Sequence, residues 1–114
     1  MQVIASLNGN IAALSFGDIT SSCTVNTTIV ASLKAYRFGA IILITGSLKT
    51  NVNGTGQHLV TVPYNMGRAY GYIGAYGDTA VGEWAIGDGS KNVTVNISAS
   101  SNNGAFCIVA YTND

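Results

Sequence analysis

Residues 33–50 read LKAYRFGAIILITGSLKT, and within them Ile41, Ile42, Leu43 and Ile44 form an unbroken apolar run. A helix is a poor host for it. Three of the four residues are β-branched and Gly39 and Gly46 bracket the run, a composition that lowers helix propensity. A strand with one face in water should alternate apolar with polar residues. The run therefore calls for a strand covered on both faces: once by a facing sheet, and once by something else. A chain of 114 residues builds one domain around one core. In so short a chain the second cover is expected from a neighbouring subunit.

Charge supports that expectation. Asp, Glu, Lys and Arg make up 9% of the chain, against ~25% in an average globular protein. Ser, Thr, Asn and Gly take their place. Apolar content is an ordinary 47%, so the composition is that of a folded chain with a neutral, hydroxyl- and amide-rich surface. Five acidic and five basic residues cancel. That argues against nucleic acid as a partner, which needs clustered Lys and Arg, and against electrostatic attachment to a membrane. Zero net charge favours self-association. No run reaches the ~20 apolar residues of a membrane helix, and the opening MQVIASLNGN lacks the basic start of a signal peptide. Cys23 and Cys107, the only cysteines, are expected to be two buried free thiols, the alternative being a bridge closing a large loop in an oxidising compartment. No CxxC or Cys/His cluster suggests zinc.

The chain shows no internal repeat and no pattern of helical period. It reads as about eight short strands separated by turn signals. The expected strands are 11–16, 24–31, the long apolar 35–48 bent at Gly39, 58–62 ending at Pro63, 68–76, 81–86, 93–99 and 105–112. Pro63 cannot donate to a ladder and should mark a strand end or edge, with PYNMG after it a loop. Asn53–Gly54 and Asn103–Gly104 are hairpin signals, because both residue types tolerate positive φ. The 93–99 strand has the cleanest period of two: Val93, Val95, Ile97 and Ala99 alternate with Thr94, Asn96 and Ser98. The fold class is all-β: an antiparallel β-sandwich, jelly roll or small barrel, spanning 1–114 as one domain. Residues 1–10 read as the end of a preceding neck or linker.

Few residues offer catalysis. The acids are Asp18, Asp78, Glu83, Asp88 and Asp114, and His58 is the sole histidine. Asp78 and Glu83 could approach across a hairpin, but a glycosidase pair also needs a cleft and a raised pKa on one member. His58 has no acid or second histidine at ligand spacing and reads as a surface or interface residue. No GxSxG context accompanies the serines. The glycines at 71, 74, 77 and 82 precede no helix that could hold a phosphate. The expectation is a non-enzymatic protein without cofactor or metal.

The sharpest surface candidate is Arg68-Ala-Tyr-Gly-Tyr-Ile-Gly-Ala-Tyr-Gly-Asp78. Alternate residues of a strand share a face, so Arg68, Tyr70, Tyr72, Tyr76 and Asp78 line one side. With Glu83 and Trp84 nearby, they could hold a sugar. Aromatic rings stack on its apolar faces while charged groups fix its hydroxyls. The competing reading places the tyrosines in a core or subunit interface, and Trp84, which shares a face with Ile86, in the core.

The order of segments resembles a family. An Asn/Thr-rich opening strand is followed by LKAYRFG, a hydrophobic strand, GSLKT, LVTVPYNM, Gly-rich strands, and a last strand ending AYTND. This resembles the C-terminal head domains of receptor-binding and tail-fibre proteins of phages that infect Gram-positive bacteria, lactococcal phages among them. Tyr36–Gly46 and Leu59–Pro63 carry its strand-and-turn pattern. The resemblance implies a homotrimer of β-sandwich or barrel heads on a tail fibre or baseplate, attached to cell-wall saccharide. It also implies a virion protein made in the host cytoplasm. The lactococcal heads bind saccharide with His, Asp and Trp. The strand around Tyr70–Tyr76 has no histidine, so no individual site residue is carried over.

Overall fold

The alternation that makes each strand amphipathic also builds a single curled sheet. The computed structural model describes residues 16–50, 52–75, 79–98 and 104–114. Among them run β1 (Phe16–Asp18), β2 (Thr24–Val25), β3 (Val30–Phe38), β4 (Ile41–Leu48), β5 (Gly54–Met66), β6 (Ala69–Ala75), β7 (Thr79–Ile86), β8 (Ser90–Ile97) and β9 (Gly104–Tyr111), with one 3₁₀ turn at Thr20–Ser22. All pair antiparallel in the order β1-β3-β4-β9-β6-β7-β8-β5-β2. The protein is thus all-β, a half-barrel of nine strands. The segment from β1 to β2 straps the two ends of this sheet together, since β1 pairs with β3 and β2 with β5. Only the residues from Ile19 to Cys23 lie between them. Ile19 N–H donates to the Ala35 carbonyl and Asn26 N–H to that of Leu59.

The concave face holds the core. Ile42 and Ile44 of β4, Leu59, Val60 and Val62 of β5, Ile73 of β6, Val93 and Val95 of β8 and Ile108 of β9 are all essentially inaccessible. The alternation read in β8 is present, with Val93, Val95 and Ile97 buried and Thr94 and Asn96 exposed. β9 alternates in the same way.

Several sequence expectations are corrected. The long strand at 35–48 is a hairpin. Gly39, at φ +61°, opens a two-residue turn, and Phe38 faces Ile41 across it. A positive φ at the first central position suits the tight turns that match sheet twist. The 24–31 strand is broken at Asn26, whose side-chain oxygen accepts from Thr28 N–H while its amide donates to the His58 carbonyl. This local bonding competes with the ladder. β5 runs through Pro63 and absorbs most of the expected PYNMG loop. The missing N–H costs nothing because the register slips between Thr61 and Met66, leaving Pro63 outside the ladder. Neither Asn-Gly pair closes a hairpin. β4 is laddered to β3 and β9 and β5 to β8 and β2, whereas β9 lies between β4 and β6 rather than beside β8. Asn103 and the 11–15 part of the first expected strand lie outside the described residues. Both thiols are free, but Cys107 is exposed and Cys23 only half-buried.

The opening run alternates after all within this single chain. Ile42 and Ile44 are buried, Leu43 is half-buried, and Ile41 is 41% exposed. Its outer side joins a broader apolar face. In one row Phe38, Ile41 and Tyr111 are neighbours across β3, β4 and β9; in the next are Tyr36, Leu43 and Val109. Tyr36 and Phe38 stack with ring centroids 6.2 Å apart. The Lys34–Asp18 ion pair, at 3.7 Å, lies at the margin of this face. The free face of the run is therefore apolar, not alternately polar, and that is why the run is unbroken in sequence.

Candidate functional site

The opposite half of the sheet has a different exterior. β6 and β7 form a hairpin in which Tyr70 faces Ala85 and Tyr72 faces Glu83. The period of two sends Ile73 into the core and leaves Tyr70 82% and Tyr72 78% exposed. In the next register Glu83 faces Asn96 of β8. Tyr72, Glu83 and Asn96 consequently form one outward row across three strands, and the start of β5 extends it. The row borders a groove of about 280 Å³, lined also by Thr55 and Ser98.

Three features fix the groove. A register shift between Ile73 and Gly74 bulges β7 around Val81, whose carbonyl accepts from both the N–H and the hydroxyl of Ser98. Bulges of this kind re-aim side chains. Asn96 is held at both ends of its amide: its oxygen accepts from Gly56 N–H at 2.6 Å, and its nitrogen donates to Glu83 Oε1 at 3.2 Å. Beneath the platform lies Trp84, 5% exposed. Its indole presses on β6 where Gly71 has no side chain, and a Cβ there would stand 2.6 Å from the ring. The chemistry on offer is an aromatic face, a carboxylate, an oriented amide and two hydroxyls.

Of the seven residues singled out in sequence, Tyr72 and Glu83 meet at this groove. Tyr70 extends the exposed tyrosine platform by one outward position. Arg68 is exposed in the link between β5 and β6 and does not line the groove. Trp84 belongs to the core, on the inner face with Ile86, and supports the platform from beneath instead of touching a ligand. Tyr76 and Asp78 lie outside the described residues, as does any Asp78–Glu83 pairing. Thr55, Asn96 and Ser98 were missed. Thr94, Asn96 and Ser98 were legible as the wet face of a strand, and the Gly87–Gly89 turn before it places that strand beside Glu83, but this hairpin was not drawn into the site.

Other chemistry-bearing groups are engaged elsewhere. His58 Nε2 bonds the Thr61 hydroxyl at 2.7 Å. Arg37, 6% exposed, donates to the Gly39 and Asp114 main-chain oxygens and lies 4.3 Å over the Tyr64 ring. Asp114 Oδ2 accepts from Asn65 N–H at 2.6 Å, beside a second groove of about 200 Å³. Among the described residues no three His, Cys, Asp or Glu converge as a metal site, and no helix is long and apolar enough to cross a membrane. Compared with family models, curated proteins and solved structures, the chain matches none.

Proposed function

We propose that this chain is a non-enzymatic receptor-binding head that attaches a phage particle to saccharide on a bacterial surface. The observation that carries the reading is the groove beside Tyr72, where an exposed ring adjoins the Glu83–Asn96 pair. Stacking on a pyranose face together with hydroxyl recognition by a carboxylate and an amide is the usual chemistry of sugar binding. The groove is shallow, so each site binds weakly, and attachment draws on several copies engaging a repetitive surface at once.

The copies associate, on this reading, through the apolar face of β3, β4 and β9. Phe38, Ile41, Val109 and Tyr111 are each 41–54% exposed, together on the order of 350 Å² of apolar surface, comparable to the largest patch of a typical monomer. Stable interfaces take ~800 Å² per partner, so this face would form the centre of an interface with a polar rim. That the assembly is a homotrimer on a tail fibre or baseplate follows from the family resemblance.

Titration of the protein against host-wall polysaccharide tests the reading. Binding that is lost in Tyr72→Ala supports it; no binding by the wild-type assembly, or full host adsorption by Tyr72→Ala, overturns it. The same apolar face favours a second reading, a structural tip or collar module that binds nothing itself. Burial of Tyr70 and Tyr72 between subunits would decide for that module.

A further inference from the structure

We infer, building on the saccharide reading, that the Tyr72 groove selects a neutral sugar bearing two adjacent hydroxyls and discriminates against acidic sugars. Among the described residues lining the groove Glu83 supplies the only charge, and none of them is Lys or Arg. Asn96 cannot turn to adapt. Its oxygen is held by Gly56 N–H, and one amide hydrogen is committed to Glu83 Oε1. Among the described residues nothing bonds a fixed pair that is left over: the second amide hydrogen of Asn96 and the second carboxylate oxygen of Glu83. One is a donor and the other an acceptor.

Adjacent hydroxyls on a pyranose ring answer such a pair directly, one donating to the carboxylate and its neighbour accepting from the amide. The bond to the carboxylate is the stronger because it is charge-assisted. A uronate or phosphorylated sugar seated on Tyr72 brings a second negative charge to within a few ångström of Glu83. With no Lys or Arg among the described lining residues to offset it, Coulomb repulsion at a partly exposed site weakens binding about tenfold. The groove thus reads charge as well as shape. On an anionic cell wall it would seek the neutral residues of the polymer.

The test uses the full chain and two-dimensional amide NMR, with methyl glucoside, methyl galactoside and methyl glucuronide as probes. At least one neutral glycoside should shift the Tyr72, Glu83 and Asn96 signals, and methyl glucuronide should bind about tenfold more weakly than methyl glucoside at low salt, with the gap narrowing as salt is added. Glu83→Gln retains an oxygen acceptor but removes the charge. It should weaken neutral sugars a few-fold and bring the glucuronide to parity. Equal or tighter glucuronide binding by the wild type, or an unchanged ratio in Glu83→Gln, overturns the inference while leaving a saccharide site in place. If no probe moves these signals and host-wall polysaccharide does not either, the saccharide reading fails and the inference with it.

Discussion

Val109→Asp isolates the role of the apolar face. Val109 lies on the outer side of β9 opposite Leu43, is 54% exposed, and touches neither the core nor the groove. In a lone chain the new carboxylate points into water, and the change costs no more than the ~1 kcal/mol spanned by strand propensities. A melting temperature within about 5 °C of wild type is expected. In an assembly the arithmetic differs. Burying about 350 Å² of apolar surface on each of two partners at ~25 cal/mol per Å² sets an upper bound of about 18 kcal/mol for one interface, offset by an association cost of ~4–15 kcal/mol and by the ordering of interface side chains. The face is thus close to the threshold at which association becomes measurable, and modest losses matter. Val109→Asp removes about 2 kcal/mol of apolar burial and leaves a carboxylate unpaired between apolar residues, which costs several kcal/mol more. Association should weaken by about three orders of magnitude or more. Sedimentation velocity over a concentration series reads this directly: a concentration-dependent oligomer for the wild type and a folded monomer for the variant. A wild type that remains monomeric throughout, or a variant with the same mass distribution as wild type, refutes the assignment of this face.

Gly71→Ala should destabilise the fold by about 1–3 kcal/mol, because the new Cβ meets the Trp84 indole at 2.6 Å in a packed core; urea unfolding followed by the fluorescence of this sole tryptophan measures the loss. Alkylation should label Cys107 first and Cys23 slowly, since burial, with the Asp18 charge adding to it, raises the Cys23 thiol pKa. Assembly through the β3-β4-β9 face should protect Cys107 as well, which mass spectrometry at low and high concentration would show. Asp18 carries a pKa below its ordinary 3.8, chiefly through hydrogen bonds from Thr20 and with a smaller contribution from Lys34. Its stabilising effect is present above pH 3.8 and is lost as pH falls through the lowered value, so Asp18→Asn should differ slightly from wild type near neutrality and converge with it in acid. Tyr72→Ala and Val109→Asp should act independently, on affinity per site and on assembly respectively, and a double mutant measured by both assays would reveal any coupling.

Strand identity was legible wherever period and side-chain size agreed. Val93, Val95 and Ile97 announced β8, and the alternation of Tyr70 and Tyr72 with Gly71 and Ile73 assigned the faces of β6 correctly. Pairing was not legible where it is non-local. Asn53–Gly54 carries the local chemistry of a hairpin turn, yet the strands it joins belong to different halves of the sheet; φ at Gly54 is +143° and the chain crosses over instead of turning back. Gly39 was read as a bend because the apolar run after it hid the turn. Pro63 was read as a strand end or edge; it lies within β5, outside the ladder, because a bulge against the partner strand β8 excuses its missing N–H. The groove was half legible for the same reason. Tyr72 and Glu83 belong to one hairpin, and Glu83 and Asn96 to the next, so both pairs could be read from sequence, whereas Thr55 comes from β5, whose place beside β8 is settled only by the whole topology.

The arrangement of the sheet keeps the surface proposed for assembly apart from the surface proposed for recognition. The half built from β1, β3, β4 and β9 and the half built from β5, β6, β7 and β8 join through the β6–β9 ladder, where among the described residues Gly74 pairs with Ala105 and Ala75 with Gly104, and through a bridge between Met66 and Thr112. The seam needs small residues. A Cβ on Gly104 would stand 2.7 Å from Ile73, 2.9 Å from Val81 and 3.1 Å from Leu48, side chains drawn from both halves. A shared core thus fixes how the halves sit, while their outer surfaces differ. One is an apolar outer face, proposed to meet another copy; the other is opened by the Val81 bulge into a polar groove beside a tyrosine. Had the tyrosine strand lain between β3 and β4, packing of copies would have buried the rings. With β9 intervening, the face proposed to assemble and the face proposed to bind lie on different halves of one sheet, so the copies could add their weak contacts without covering them.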